Sequence, residues 1–278
     1  MPSESILVWR RLIPSRLTDE WLERLIWVGP EQTVIEDLPS GKSSRLTVYD
    51  LSNTDAQTLK EKFGGEIRKL KQSHWMKSQE RNFSLVLEKK ICLRSPAAKL
   101  TQAEQDLPQI IIPAGPAFGT GEHPTTRMCL RHAIRLAEVG AHPKQIADLG
   151  TGSGIIALTL NRLGHSIEAI DFDEDCIHES QNNEMLNPGL AGVNWHHLSV
   201  FDWKPGKKFD LIVANLFSEI LIEITPQFNQ WLKPGGDFVL SGVMKHQEEK
   251  VRTAILKAGL QIEKRLRVGK WVAFIGSR

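Results

Sequence analysis

Apolar and polar positions change period several times along the chain, and the changes mark out two differently built regions. Residues 5–12 form a short strand-like run. Thr18-Asp19-Glu20 then supplies a helix cap with early acids ahead of the apolar stripe Trp21, Leu22, Leu25, Ile26. Short strands are predicted at 33–36 and 45–49, divided by Pro39-Ser40-Gly41 turn chemistry. A second helix, capped by Asn53 or Thr54, runs to about Phe63, and a strand follows at 66–70. Strand, helix, strand, strand, helix, strand is the order of a ferredoxin-like α+β unit, here spanning residues 1–72.

Residues 73–108 read as a linker. His74 to Asn82 is polar and basic around Trp75 and Met76, 83–92 alternates in strand fashion, and 95–108 carries Pro96 and Pro108 at its ends. From 109 onward strand and helix patterns alternate. Strands are predicted ahead of Gly150, at 166–170, 193–200, 209–214 and 238–240, the last entered through a Lys233-Pro234-Gly235-Gly236 turn. Helices begin at Pro124 or Thr125, at Ile155, at Asp173 or Glu174 and near Lys245, and the runs 261–268 and 271–275 form a hairpin about Gly269-Lys270. The pattern is that of an α/β, Rossmann-like, doubly wound seven-stranded sheet with an antiparallel edge, over 109–278.

Composition alters this picture little. In 278 residues, 35 Lys and Arg nearly balance 33 Asp and Glu, so overall charge argues neither for nor against a nucleic-acid partner. Basic side chains do cluster between Lys60 and Arg94, either as a solvated face or as a binding patch, and Trp75 and Phe83 either anchor a linker or stack on a base. Cys92, Cys129 and Cys176 form no C-x-x-C pair, so no disulfide framework and no metal site is expected. The N-terminus lacks the basic-then-apolar order of a signal peptide and no apolar run reaches membrane-spanning length. A cytoplasmic protein without a membrane partner is expected.

The chemistry gathers at residues 146–154, Ile-Ala-Asp-Leu-Gly-Thr-Gly-Ser-Gly. A strand ends in glycines at 150, 152 and 154, and a helix opens at Ile155. Such a loop is either a plain structural turn or a cradle in which a ligand approaches bare backbone at a helix N-terminus. The spacing G-x-G-x-G departs from the dinucleotide fingerprint G-x-G-x-x-G. Asp171 ends the next strand, about 20 residues on, where an acid suits a ribose diol. With no lysine in the loop to meet phosphate, Gly150, Gly152 and Asp171 point to a phosphate-free nucleoside cofactor such as S-adenosylmethionine.

Three further positions join them. The stretch 114–126, Ala-Gly-Pro-Ala-Phe-Gly-Thr-Gly-Glu-His-Pro-Thr-Thr, either folds over the cofactor, with Phe118 giving a face and Thr126 a hydroxyl, or is a connector with a capping threonine. Within it His123 is expected to fix the loop by a hydrogen bond. Asn215 ends the apolar strand 209–214, and open parallel sheets meet ligands at the carboxyl ends of their strands. Asp202, after strand 193–200, is either an adenine contact or a loop residue, and His196-His197 read as strand-pairing residues.

The glycine loop with Asp171 and the Leu232-Lys233-Pro234-Gly235-Gly236 turn resemble class I S-adenosylmethionine-dependent methyltransferases. Phe118 to Thr126, Ala214-Asn215-Leu216, Leu240-Ser241-Gly242 and Trp271-Val272-Ala273 together resemble the ribosomal protein L11 methyltransferase family. That resemblance covers about 110–278. It implies cofactor contacts at Thr126, Gly150, Asp171 and Asn215, and an N-terminal ferredoxin-like domain that recognises the substrate protein. It also implies methyl transfer to lysine or N-terminal amines, most directly of a ribosomal protein, with no stable nucleic-acid partner. Phe217 and Ser218 stand where the family favours small or aliphatic residues.

Since the methyl group of such a cofactor is already activated, the protein mainly aligns acceptor and methyl. Asn215 would orient the amine through its side-chain oxygen. Phe118 would wall the acceptor channel, as would Trp271 unless it is ordinary core. Rival readings are the same fold acting on another protein, a small molecule or RNA, a dinucleotide oxidoreductase, and an RNA-binding protein that has lost catalysis.

Overall fold

A computed structural model describes residues 5–28, 33–37, 43–49, 51–71, 83–113, 121, 123–140 and 142–278. Contacts divide the chain into two compact units, Met1–Glu80 and Arg81–Arg278. Among the described residues no helix is long and apolar enough to cross a membrane.

In the first unit the strands β1 (Ser5–Pro14), β2 (Thr33–Asp37), β3 (Ser43–Val48) and β4 (Glu66–Lys71) form one antiparallel sheet in the order β2-β3-β1-β4. With helices Thr18–Arg24 and Asn53–Phe63 between them, this is the arrangement the alternation predicted. Trp9, Ile13, Trp21, Leu25, Leu46, Val48 and Leu59 make the core, and the buried Trp9 indole N–H donates to the Gly64 carbonyl (2.7 Å). The second helix is capped by Ser52, one residue ahead of the expected Asn53 or Thr54. The Ser52 hydroxyl accepts the Asp55 N–H (3.0 Å).

The second unit begins earlier than a linker over 73–108 allows. Strands β5 (Ser84–Leu87), β6 (Ile91–Arg94) and β7 (Gln109–Ile111) form a small sheet, antiparallel between β5 and β6 and parallel between β6 and β7. Leu87, Ile91, Leu93, Ile110 and Ile112 are fully buried in this unit's core. Alternating apolar side chains on β5 and β6 find cover there, which a free connector would not give them. Trp75 and Met76 lie outside the described residues.

The large sheet contains β8 (Gln145–Leu149), β9 (Ser166–Asp171), β10 (Asn194–His197), β11 (Phe209–Asn215), β12 (Leu232–Met244), β13 (Gln261–Val268) and β14 (Trp271–Ser277). Their order is β10-β9-β8-β11-β12-β14-β13, with β14 antiparallel to both of its neighbours. The expected seven-stranded doubly wound sheet with a terminal hairpin is present. Strand β11 is apolar on both faces because both faces are covered. Leu211 and Val213 pack beneath helices Pro124–Ala137 and Ile155–Arg162, whereas Ile212 and Ala214 pack with Leu221, Ile224, Val251 and Ile255 on the other side.

The Lys233-Pro234-Gly235-Gly236 segment is not a turn ahead of a strand. Strand β12 starts at Leu232, paired with Phe209, and resumes its register at Leu211 and Asp237, so the segment is an interruption within one long strand. At the far edge, Glu248 is 2% exposed and meets Arg265 (3.0 Å) and Arg267 (2.7 Å). These ion pairs tie helix Glu248–Lys257 to the hairpin whose turn carries Lys270 and whose second strand opens at Trp271.

Candidate active site

Strand register assembles the site. Leu149 pairs with Ile170 on one side and with Ala214 on the other, so the residues that follow, Gly150, Asp171 and Asn215, emerge at one edge of the sheet. Asn215 pairs in turn with Ser241, which brings Gly242 beside them. Residues far apart in sequence become neighbours because parallel strands end together.

The glycine loop is held by strand β9. The N–H groups of Gly150 and Thr151 donate to the Ile170 carbonyl (2.9 and 3.0 Å), and the Gly152 N–H donates to Asp171 Oδ2 (2.9 Å). Asp171 Oδ1 accepts the Asp173 N–H (3.1 Å). Burial pushes the Asp171 carboxyl above its ordinary range. Gly150 has φ +72°, and a Cβ there would stand 2.2 Å from a methyl of Leu216, so side-chain-free backbone lets Leu216 close over the loop. Gly242 does the same from β12, where a Cβ would lie 2.3 Å from the Leu216 carbonyl oxygen.

Beneath the loop, Asp148 is 1% exposed. Its Oδ2 accepts the Thr151 hydroxyl (2.7 Å) and the Ala157 N–H (3.1 Å), while Oδ1 has no partner among the described residues. Burial outweighs those bonds and pushes its pKa up to about 7. A carboxyl that binds its proton more tightly when folded favours the native state while protonated, so this contribution is present below about pH 4 and is lost as pH rises towards 7. Urea titrations at pH 5 and pH 7.5 are expected to show a decline in stability that is smaller in Asp148→Asn. An identical decline in both proteins would contradict the assignment.

Together these elements enclose a cavity of about 630 Å³, within the size range of small-ligand sites. Thr126, Gly150, Gly152, Asp171 and Asn215 all line it, as do Phe172, Asp173, Leu198, Phe201, Leu216, Phe217, Gly242, His123 and Trp271. Phe172, Phe201 and Phe217 are 74%, 50% and 67% exposed, giving the cavity an apolar, solvent-facing lip. Asp202 is not part of the lining. Strand β10 ends at His197, and the Asp202 N–H bonds back to the Ser199 carbonyl (3.0 Å), which leaves Leu198 to Phe201 at the cavity instead. Phe118 lies outside the described residues.

The amide of Asn215 is half satisfied. Its Nδ2 donates to the Thr126 hydroxyl (3.4 Å), and its buried Oδ1 has no partner among the described residues. An orphaned buried acceptor on a cavity wall is costly unless a ligand supplies the donor. His123 caps the helix that follows it, while most of the loop it was expected to fix lies outside the described residues. Nδ1 receives the Thr125 N–H at the start of helix Pro124–Ala137 and lies 2.7 Å from the Thr125 hydroxyl. Burial, then the nearby Lys270 cation, holds its pKa below the usual histidine value. Its ring stands edge-on to Trp271 at 4.9 Å. His196 bonds Glu168 and His197 bonds the Phe172 carbonyl, and neither histidine is itself part of the cavity lining.

A model of the family described as ribosomal protein L11 methyltransferase (PrmA) matches residues 24–278. The chain belongs to this family. The L11 methyltransferase of Halalkalibacterium halodurans is 34% identical over 175 residues, 63% of this chain and 55% of that protein. The one from Geobacillus thermodenitrificans is 37% identical over 162 residues, 58% of this chain and 51% of that protein. The chain thus spans about half the length of the curated relatives it matches. The crystal structure of the ribosomal protein L11 methylase from Lactobacillus delbrueckii subsp. bulgaricus superposes with a TM-score of 0.62 at 29% identity, covering 70% of this chain and 98% of that one. The Rossmann-like fold expected from the sequence is that of an L11 methyltransferase.

Two cavity features were not anticipated from sequence. Leu216 and Gly242 interlock at the carboxyl ends of β11 and β12, and the aromatic lip draws on Phe172 and Phe201. Phe172 and Leu216 directly follow strand ends, and that position was the available signal, whereas Gly242 lies within β12 and Phe201 well past the end of β10.

Proposed function

We propose that the chain is an S-adenosylmethionine-dependent methyltransferase that modifies lysine or N-terminal amines of ribosomal protein L11 or a similar protein in the cytoplasm. The observation that carries this reading is the unpartnered Asn215 Oδ1 on the same cavity wall as the Gly150 loop and Asp171. An amine brings the N–H donors that this oxygen lacks.

The fit to a nucleoside cofactor rests on residues present. Asp171 offers a carboxylate to a vicinal diol, the loop from Gly150 to Gly154 carries no lysine for phosphate, and the lip at Phe172, Leu198 and Phe201 suits an adenine ring. When bound, the cofactor supplies a methyl group already activated on sulfur. The chain's task is then alignment and exclusion of water. Thr126 holds the Asn215 amide in one orientation, so Oδ1 is fixed before the acceptor arrives. Leu216, locked by Gly150 and Gly242, keeps that end of β11 from shifting. The ferredoxin-like unit is assigned recognition of the protein substrate.

Isothermal titration with S-adenosylmethionine, S-adenosylhomocysteine and a reduced nicotinamide dinucleotide tests the cofactor assignment. Binding of the first two and none of the third is expected. Preference for the dinucleotide would return the oxidoreductase reading.

A further inference from the structure

Strands β8 and β9 start side by side. Gln145 pairs with Ser166, and the Ser166 N–H donates to the Lys144 carbonyl (3.0 Å), so the residues just ahead of the two strands meet at the opposite edge of the sheet from Gly150 and Asp171. His142 lies ahead of β8 and His165 immediately ahead of β9. Glu138 joins them as the C-cap residue of helix Pro124–Ala137. These three side chains bring their ligand atoms within 4.8 Å of one another, and the two imidazole centroids lie 4.2 Å apart. No cysteine takes part, so cysteine spacing could not announce the cluster.

His165 is the residue that asks for a ligand. It is 2% exposed, its Nδ1 accepts the Lys144 N–H (3.2 Å), and its buried Nε2 has no partner among the described residues. A buried polar atom left unpaired is costly. Burial, then the neighbouring His142, holds the His165 pKa down at about 4, so the ring is neutral at pH 7. Neutral imidazole is the form that ligates metals. Glu138 supplies the negative charge that a cation needs beside it; its Oε2 meets the Lys90 ammonium, and the carboxylate has a second oxygen to offer.

We propose that Glu138, His142 and His165 bind a zinc(II) ion at the amino ends of β8 and β9, with His165 ligating through Nε2. Two imidazole nitrogens and one carboxylate oxygen, without thiolate, suit zinc with water as the fourth ligand. Zinc–ligand bonds of about 2.0–2.1 Å in a tetrahedron place the ligand atoms about 3.3 Å apart. The exposed Glu138 and His142 side chains therefore draw in around the buried His165 by up to about 1.5 Å. Coordination at Nε2 moves the His165 ring proton to Nδ1, so the Lys144 N–H gives up its 3.2 Å bond. None of the three residues lines the cavity that holds Asn215. The ion is structural: it staples the last turn of helix Pro124–Ala137, whose first turn carries Thr126 to the cavity, to the starts of two central strands.

The test uses the full chain, stripped with chelator and titrated calorimetrically with zinc chloride alone. One ion per chain is expected, with affinity lowered about a hundredfold or more in His142→Ala and in Glu138→Gln. Both substitutions are at exposed positions, so the fold survives them. Zinc is expected to raise the thermal midpoint of the wild type and not of the variants, and magnesium to leave it unchanged. Cobalt(II) in place of zinc is expected to give the intense visible bands of a four-coordinate site, and zinc is expected to shift the Lys144 amide resonance. Absence of zinc binding at micromolar concentrations, affinity within about threefold of wild type in His142→Ala, or a pale six-coordinate cobalt spectrum overturns the proposal. None of these readouts involves methyl transfer, so they stand or fall apart from the function proposed above.

Discussion

Alanine in place of Asp171 is expected to weaken binding of S-adenosylmethionine by roughly a hundredfold or more. Asp171 ends β9 with its carboxylate already oriented, because Oδ2 accepts the Gly152 N–H (2.9 Å) and Oδ1 the Asp173 N–H (3.1 Å). Each oxygen retains a lone pair for a ribose hydroxyl. Hydrogen bonds to a charged group contribute about 1.5–3 kcal/mol each, and losing two of them from the complex corresponds to at least about 3 kcal/mol, or two orders of magnitude in affinity. The substitution also frees the Gly152 and Asp173 N–H groups, so the glycine loop keeps only its Gly150 and Thr151 bonds to the Ile170 carbonyl of β9. Thermal unfolding measured beside the titration separates this loosening from lost ligand contacts. Equal affinity in wild type and variant would remove Asp171 from the cofactor site.

The second large effect is expected at Asn215. Replacement by alanine removes the acceptor that orients the amine and leaves the Thr126 hydroxyl without its donor. By analogy with the loss of one preorganised hydrogen-bonding group from an active site, the rate of methyl transfer is expected to fall by about 10²–10³. Cofactor affinity is expected to change far less, because the Gly150 loop and Asp171 are untouched. A rate unchanged within about twofold, or a loss explained wholly by weaker cofactor binding, would contradict an orienting role, since that role acts on alignment in the reacting complex.

Much of this site could be read from sequence because it sits where strand patterns end. Gly150, Asp171 and Asn215 each follow a short apolar run, and parallel pairing of those runs brings their ends together without further information. The ferredoxin-like order of the first unit and the terminal hairpin were legible for the same reason, through local periodicity and turn residues. Non-local pairing was not legible. Strands β5 and β6 have an apolar pattern, but β6 pairs in parallel with β7 across the Pro- and Gln-containing stretch that resembled a linker. Asp202 shows the cost of a misplaced boundary. Strand β10 stops at His197, earlier than its sequence pattern, and the chain turns through Ser199 so that Phe201 rather than the acid lines the cavity. Leu216 and Gly242 needed the β11–β12 register, since neither residue type announces an interlock that only close approach creates.

The central claim is that one cavity joins a methyl-donor site to an amine acceptor site. Its most direct test is incubation of the purified chain with methyl-labelled S-adenosylmethionine and ribosomal protein L11, followed by mass spectrometry of the product. Label on lysine or N-terminal amines of L11, lost in Asn215→Ala, is the predicted result. Label found only on RNA or small molecules, or none on protein despite tight cofactor binding, would contradict it.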